Sequence, residues 1–240
     1  MERNELVLAR LSNQYLLRTG ERMEVLRAMN GFQAQFLSNA LYAMRLRSTA
    51  YDTAHAADSL VKSWTLRGTM HIFAETDLPL FLHTGCRYRS RDWTVPSFWN
   101  QRPDWALTPQ RQAYFSDLIV DALAQGPMTR EALKARCRAA GMTQAEEGSI
   151  FHPWGGGIRE LCERGFLCGT VSEEKAFRLC PAFTPMEEQD ALLEQTRRYF
   201  TNYGPASIRD AAYYFGSSQA EIKKRLARLP MKAAEYEGQQ

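Results

Sequence analysis

The 240-residue sequence predicts a mainly α-helical protein with small β-wings, arranged as tandem winged-helix (helix-turn-helix) units. Three observations carry that expectation. Apolar residues recur at helical spacing along most of the chain, punctuated by glycine and proline. The turn Gly126-Pro127-Met128-Thr129 precedes a short helix, and Gly204-Pro205-Ala206-Ser207 precedes another. Leu60, Leu66, Gly68 and Thr69 match Leu161, Leu167, Gly169 and Thr170 at identical spacing. In each copy a helix ends, a Gly-Thr pair turns the chain, and a further short strand follows. A generic helical bundle with incidental Gly-Pro turns is the competing architecture, and the Leu-x5-Leu-x-Gly-Thr recurrence favours the winged one.

Leu8, Leu11 and Tyr15 share a face of a first helix that Thr19-Gly20 stops. A second covers about 22–29, Asn30-Gly31 breaks the chain, and a third begins near Phe36 with Ala40, Leu41 and Met44 on the same face. Asp52 is a candidate N-cap for a fourth helix running toward Trp64, with a strand at 70–73 after it. Thr108-Pro109 is a cap followed by proline at the first helical position, opening a helix with Phe115, Ile119 and Leu123 inward and Gly126 past its end. Thr129 caps a helix over 130–140, closed by Gly141. The second wing uses Val171 and then 176–179. In the third unit one helix ends at Gly216, and Ser217-Ser218 cap another whose Ile222, Leu226 and Leu229 face inward; its wing starts near Pro230. The unit limits are 1–104, 105–184 and 185–240, with 93–109 and 181–185 as linkers.

Composition narrows the function classes. With 45% hydrophobic and 24% charged residues the chain is neither disordered nor collagen-like. Apolar stretches such as Leu80-Phe81-Leu82 are far below the roughly 18 residues of a membrane span, so no membrane partner is expected. The mixed charges of Met1-Glu2-Arg3-Asn4-Glu5 do not lead into a secretory core. Cys86, Cys137, Cys162, Cys168 and Cys180 are odd in number and form no CxxC pair, which reads as reduced thiols in a cytoplasm. His55, His71, His83 and His152 show no ligand spacing, so neither metal nor cofactor is expected. Gly155-Gly156-Gly157 lacks the Lys-Ser/Thr of a phosphate loop and reads as a flexible break near a helix start. No GxSxG motif or Cys-His pairing marks a nucleophile.

A net charge of +3 permits a nucleic-acid partner. Lys223, Lys224, Arg225 and Arg228 project from a helix whose other face is apolar, as in a recognition helix or in any helix with a solvated outer face. Residues 86–102 carry Arg87, Arg89, Arg91 and Arg102 among Tyr88, Trp93, Phe98 and Trp99. Arginines neutralise phosphates and aromatic faces receive bases; alternatively, the tryptophans staple a linker onto the first unit. From the residues alone the chain supports a nucleic-acid-binding module and nothing sharper, with a non-catalytic DNA-binding protein or regulator and a protein-interaction module among the readings left open.

Two glutamines flank a small apolar residue in Asn30-Gly31-Phe32-Gln33-Ala34-Gln35, just before a helix. Together with Arg67-Gly68-Thr69-Met70-His71, this segment resembles the winged-helix DNA glycosylases of the AlkZ type, which remove alkylated purines and unhook interstrand crosslinks. The resemblance is spread over nearly the whole chain and implies that Gln33 and Gln35 form the catalytic centre of the Gln-apolar-Gln subgroup. The implied partner is double-stranded DNA carrying alkylated bases, and the implied activity is that of a monofunctional glycosylase. Such relatives add a C-terminal β-barrel-like part, which would begin about where Gln240 falls. An N7-alkylated purine is cationic, so its glycosidic bond is already weakened and needs no strong acid. Two amides, each with a carbonyl acceptor and an NH2 donor, can orient a water against the developing sugar cation. Alternatively, the pair caps backbone groups at the helix end. Arg67 and His71 fall at the wing, as phosphate contacts or as a structural brace.

Overall fold

The structure is a computed structural model that describes residues 1–172 and 174–236. In the first third, α1 (Arg3–Asn13) ends before Tyr15, which takes a left-handed φ of 60°. The carboxylate of Glu21 accepts from the Met23 and Glu24 amides and caps α2 (Arg22–Ala28). Asn30 and Gly31, both at positive φ, then reverse the chain into β1 (Phe32–Gln33). Next come α3 (Leu37–Arg45), with Ala40 and Met44 buried as the spacing predicts, and then β2 (Leu60–Trp64), β3 (Met70–Ala74) and α4 (Leu78–Phe81).

The helix expected from Asp52 to Trp64 does not form. The Asp52 carboxylate accepts from the Ala54 amide at 2.9 Å in a local turn, and Leu60–Trp64 is a strand bonded on both sides. Burial between two neighbouring strands overrides helical spacing here. The recurrence therefore matches letters and not structure: Leu60 lies in β2, whereas Leu161 lies in a helix.

The middle third follows its punctuation. The Thr108 hydroxyl accepts from the Arg111 amide at 3.3 Å and opens α5 (Pro109–Leu123). After β4 (Met128–Thr129), Thr129 caps α6 (Arg130–Ala139). Thr143 and Glu146 cap each other reciprocally at the start of α7 (Gln144–Ile150), a helix the sequence reading did not resolve. Then come α8 (Gly156–Glu163), β5 (Leu167–Gly169) and β6 (Ala176–Leu179). The glycine run that opens α8 is closely packed and not a flexible break. Gly156 has φ 58°, and a Cβ there would lie 2.2 Å from the Ser149 carbonyl oxygen.

The last third holds α9 (Glu188–Asn202), α10 (Ile208–Phe215), capped by Ser207 with Asp210, and α11 (Gln219–Leu226), capped by Ser218. Ile222 is fully buried, in keeping with its inward assignment. Residues 230–235 hold no strand where a third wing was expected, and 237–240 lie outside the described residues.

Eleven α-helices and one six-stranded antiparallel sheet occur among the described residues, so the fold is mixed α and β rather than helical with isolated wings. The sheet order is β1-β3-β2-β5-β6-β4. Its two halves, one from residues 32–74 and one from 128–179, meet through the single register pair Lys62–Gly169. Val61, Phe73, Phe81, Leu82 and Cys168 pack with Ala191 of α9 in one core at this junction.

Candidate functional site

The Gln33–Gln35 segment leaves the edge strand β1 directly toward α3. Its register is fixed by main-chain bonds to β3: Gln33 pairs with His71, and the Ala34 amide donates to the Met70 carbonyl at 2.7 Å. Ala34 is buried while Gln33 and Gln35 are exposed, so an extended backbone turns both amides to one side. Neither side-chain amide has a hydrogen-bond partner among the described residues. A capping role is thereby removed, because the side chain of Gln35 reaches no backbone group at the start of α3.

Both glutamines line a cleft of about 940 Å³ that draws on both halves of the sheet. Lys62, Trp64 and Met70 enter it from β2 and β3; Arg130, Trp154 and Arg159 enter it from the middle third. Among the described residues no carboxylate lines it. Arg130 donates to the His152 carbonyl at 2.7 Å, and burial pulls its pKa below the usual arginine range. Arg159 pairs with Glu163 at 2.7 Å, whose carboxyl is pushed up by its own burial. Trp154 and Phe36 stand 72% and 70% exposed at this cleft. Chemically, the cleft offers neutral hydrogen-bonding groups, positive charge and open aromatic faces. Among the described residues no three His, Cys, Asp or Glu side chains converge to hold a metal.

The other residues singled out from the sequence fall into different surroundings. His71 is buried, with Nδ1 3.0 Å from the Thr69 carbonyl and 3.1 Å from the Thr65 hydroxyl. Desolvation lowers its pKa to about 4. Of the two roles offered for it, this geometry is that of a brace within the hairpin. Arg67 donates to the Tyr214 carbonyl at 3.0 Å and lies over that ring. It lines a second cleft, of about 580 Å³, together with Arg87 and Arg225. Trp64 belongs to both clefts.

Arg87 donates to the Pro96 carbonyl and Arg89 to the Cys180 carbonyl, each at 2.9 Å, and Arg91 pairs with Asp117. The idea that aromatic residues of 86–102 receive bases is corrected for three of the four. Trp93 and Trp99 are buried, and Tyr88 packs on Phe183 with ring centres 4.4 Å apart; only Phe98 is open. On α11, Lys223 and Lys224 are exposed, the latter bridging to Glu221 at 2.7 Å, and Arg228 just beyond the helix faces Asp190 at 3.7 Å. Sequence reasoning missed Lys62, Arg130, Arg159, Lys175 and Trp154. The signal for Trp154 was present, since a tryptophan directly before three glycines is held at the tip of a tight turn.

The whole chain superposes on a solved structure, the Streptomyces sahachiroi DNA glycosylase AlkZ, with a TM-score of 0.72 at 23% identity, covering 68% of that protein. This likeness defines the fold class. Residues 26–238 match the family described as "DNA glycosylase AlkZ-like", and the chain belongs to that family. A curated relative, the interstrand DNA cross-link repair glycosylase of Streptomyces sahachiroi, is 29% identical over 202 residues, 77% of this chain and 52% of the relative. The chain thus spans about half the length of that relative.

Proposed function

We propose that the protein is a DNA glycosylase that hydrolyses the N-glycosidic bond of alkylated purines of the N7 type, with interstrand crosslinks also within its reach. The observation that carries the reading is the pair of amides, Gln33 and Gln35, without hydrogen-bond partners among the described residues, on one side of a pinned turn in a cationic cleft. Family membership supports the same reaction class. In this reading the chain divides into three units with limits 1–104, 105–184 and 185–240, of which the first two are joined through one sheet and the third has no wing strand over 230–235.

The amide carbonyls accept from a water and hold one of its lone pairs toward C1′ of the damaged nucleotide. As the C1′–N9 bond breaks, its electron pair neutralises the cationic base, which leaves without protonation. The water oxygen bonds to C1′ and its proton passes to solvent. No carboxylate is needed to assist the leaving group, which accords with a cleft that has none among its described residues.

The test is incubation of the chain with a duplex holding one N7-methylguanine, followed by alkaline cleavage at abasic sites. Wild type is expected to release the base, and Gln33→Ala and Gln35→Ala are each expected to slow single-turnover release by roughly a hundredfold. Undiminished release by both variants would reject the assignment. Binding without release by the wild type would favour a non-catalytic DNA-binding protein.

A further inference from the structure

Lys62 is the least explained charge in the molecule. It sits in β2, 8% exposed, at the one register pair that joins the two halves of the sheet. Its stem crosses Gly169: a Cβ on that residue would lie 3.0 Å from the Lys62 Cε and press on the stem. The side chain also lines the glutamine cleft. Among the described residues it has neither an ion pair nor a hydrogen bond. Among the described residues the charged neighbour that acts on it is another cation, Lys175, itself exposed and lining the same cleft. Burial and that like charge both pull the Lys62 pKa down.

An ammonium largely withdrawn from water, with no counter-charge among the described residues, is destabilising in the free protein, and sequences rarely retain one unless an anion arrives to pair with it. Arg159 does not raise the same question, since Glu163 pairs with it, and Arg130 already has a hydrogen-bond acceptor in the His152 carbonyl. Surface lysines read any nearby phosphate. A lysine this deep meets a phosphate only if the nucleic-acid backbone itself enters the cleft.

We propose that Lys62, with Lys175 beside it, forms a phosphate-binding site inside the glutamine cleft, filled when the backbone of a damaged strand is drawn in and empty when undamaged duplex is bound. The proposal rests on the cleft being where the lesion is received. Its role would be positional: the phosphate held at Lys62 fixes how far the sugar advances toward Gln33 and Gln35.

The experiment is a salt titration of binding by fluorescence anisotropy. Two duplexes are used, one undamaged and one carrying a single 2′-fluoro-N7-methylguanosine, which resists hydrolysis. Each phosphate neutralised adds about 0.9 to the slope of log affinity against log salt. For wild type the lesion duplex is expected to give a slope steeper by about 0.9 than the undamaged one. In Lys62→Met, which keeps the buried stem, that difference is expected to vanish, and lesion affinity to fall about tenfold, while undamaged binding stays unchanged. Lys62→Arg is expected to restore the difference. Lys62→Met is also expected to melt higher than wild type, which separates loss of the site from loss of the fold. Identical slopes for wild type and Lys62→Met on both duplexes would overturn the site, and so would equal losses on both. A Lys62-dependent slope difference in a protein that releases no base would uphold the site and strike down the glycosylase reading instead.

Discussion

Arg164 and Glu160 form the most enclosed ion pair among the described residues, and its removal has a calculable cost. Both lie in or just past α8, their side chains 3% and 5% exposed, with Nη2 donating to the carboxylate at 2.6 Å. Arg164 Nη1 donates to the carbonyls of Ser90 and Asp92 at 2.8 and 3.0 Å, and its guanidinium lies 4.5 Å from the Trp93 ring centre. The pair thus ties residues 90–93 to the middle third. Arg164→Met leaves Glu160 buried with only the Gln112 amide at 3.1 Å and a long contact to Ser97, and strips two carbonyls of their donor. Removing one member of such a pair costs about 4 kcal/mol. For a chain of this size that corresponds to a fall in Tm of about 8–16 °C. Arg164→Met with Glu160→Leu removes both charges and is expected to recover more than half of the loss. The check is thermal and urea unfolding of the three variants by circular dichroism. A single-variant loss below about 1 kcal/mol, or a double variant as unstable as the sum of its singles, would refute the reasoning.

His71 is held neutral by burial with its pKa lowered to about 4, so it contributes stability that is fully present above pH 6.5 and is lost as pH falls through 4. The span from the ordinary value of 6.5 amounts to about 3 kcal/mol, and urea unfolding from pH 7 to 4 should show that loss flattened in His71→Gln. Gly156→Ala must place a Cβ against the Ser149 carbonyl at positive φ, which predicts a loss of about 2–3 kcal/mol, read by the same unfolding assay. Trp154→Ala removes an exposed ring and should leave Tm within a degree or two, while slowing base release about tenfold by taking a stacking face from the cleft.

Sequence reading reached some of this architecture and not the rest, for reasons specific to each residue. Thr108-Pro109, Thr129, Ser207 and Ser218 marked helix starts correctly, because a hydroxyl cap acts within four residues and needs no tertiary context. Leu60–Trp64 failed because its strand identity comes from β3 and β5, which lie about ten and one hundred residues away. Gln33 and Gln35 were legible as a motif, and their shared exposure follows from alternation along an extended chain. Lys62 was not, since a lysine in a misassigned helix looks like an ordinary solvated charge. The arginines of 86–102 looked like a nucleic-acid composition, yet Arg87 and Arg89 bond backbone carbonyls and Arg91 pairs with Asp117. Composition cannot tell a cation aimed at solvent from one tying down a loop.

That the sheet is continuous changes how the cleft must work. Gln33 stands at one edge, on β1, while Phe177 and Arg130 come from β6 and α6 at the other end, so the cleft spans the junction between the halves. The junction is a single register pair, and one of its two residues is Lys62. A shift between the halves would move the glutamines relative to Arg130 and Arg159. Val61, Phe73, Cys168 and Ala191, packed in one core at the same place, resist that shift. Charge and rigidity are therefore set at one point of the fold. Neutralising Lys62 removes the charge at this joint, whereas enlarging Gly169 should displace the ammonium and leave its charge in place.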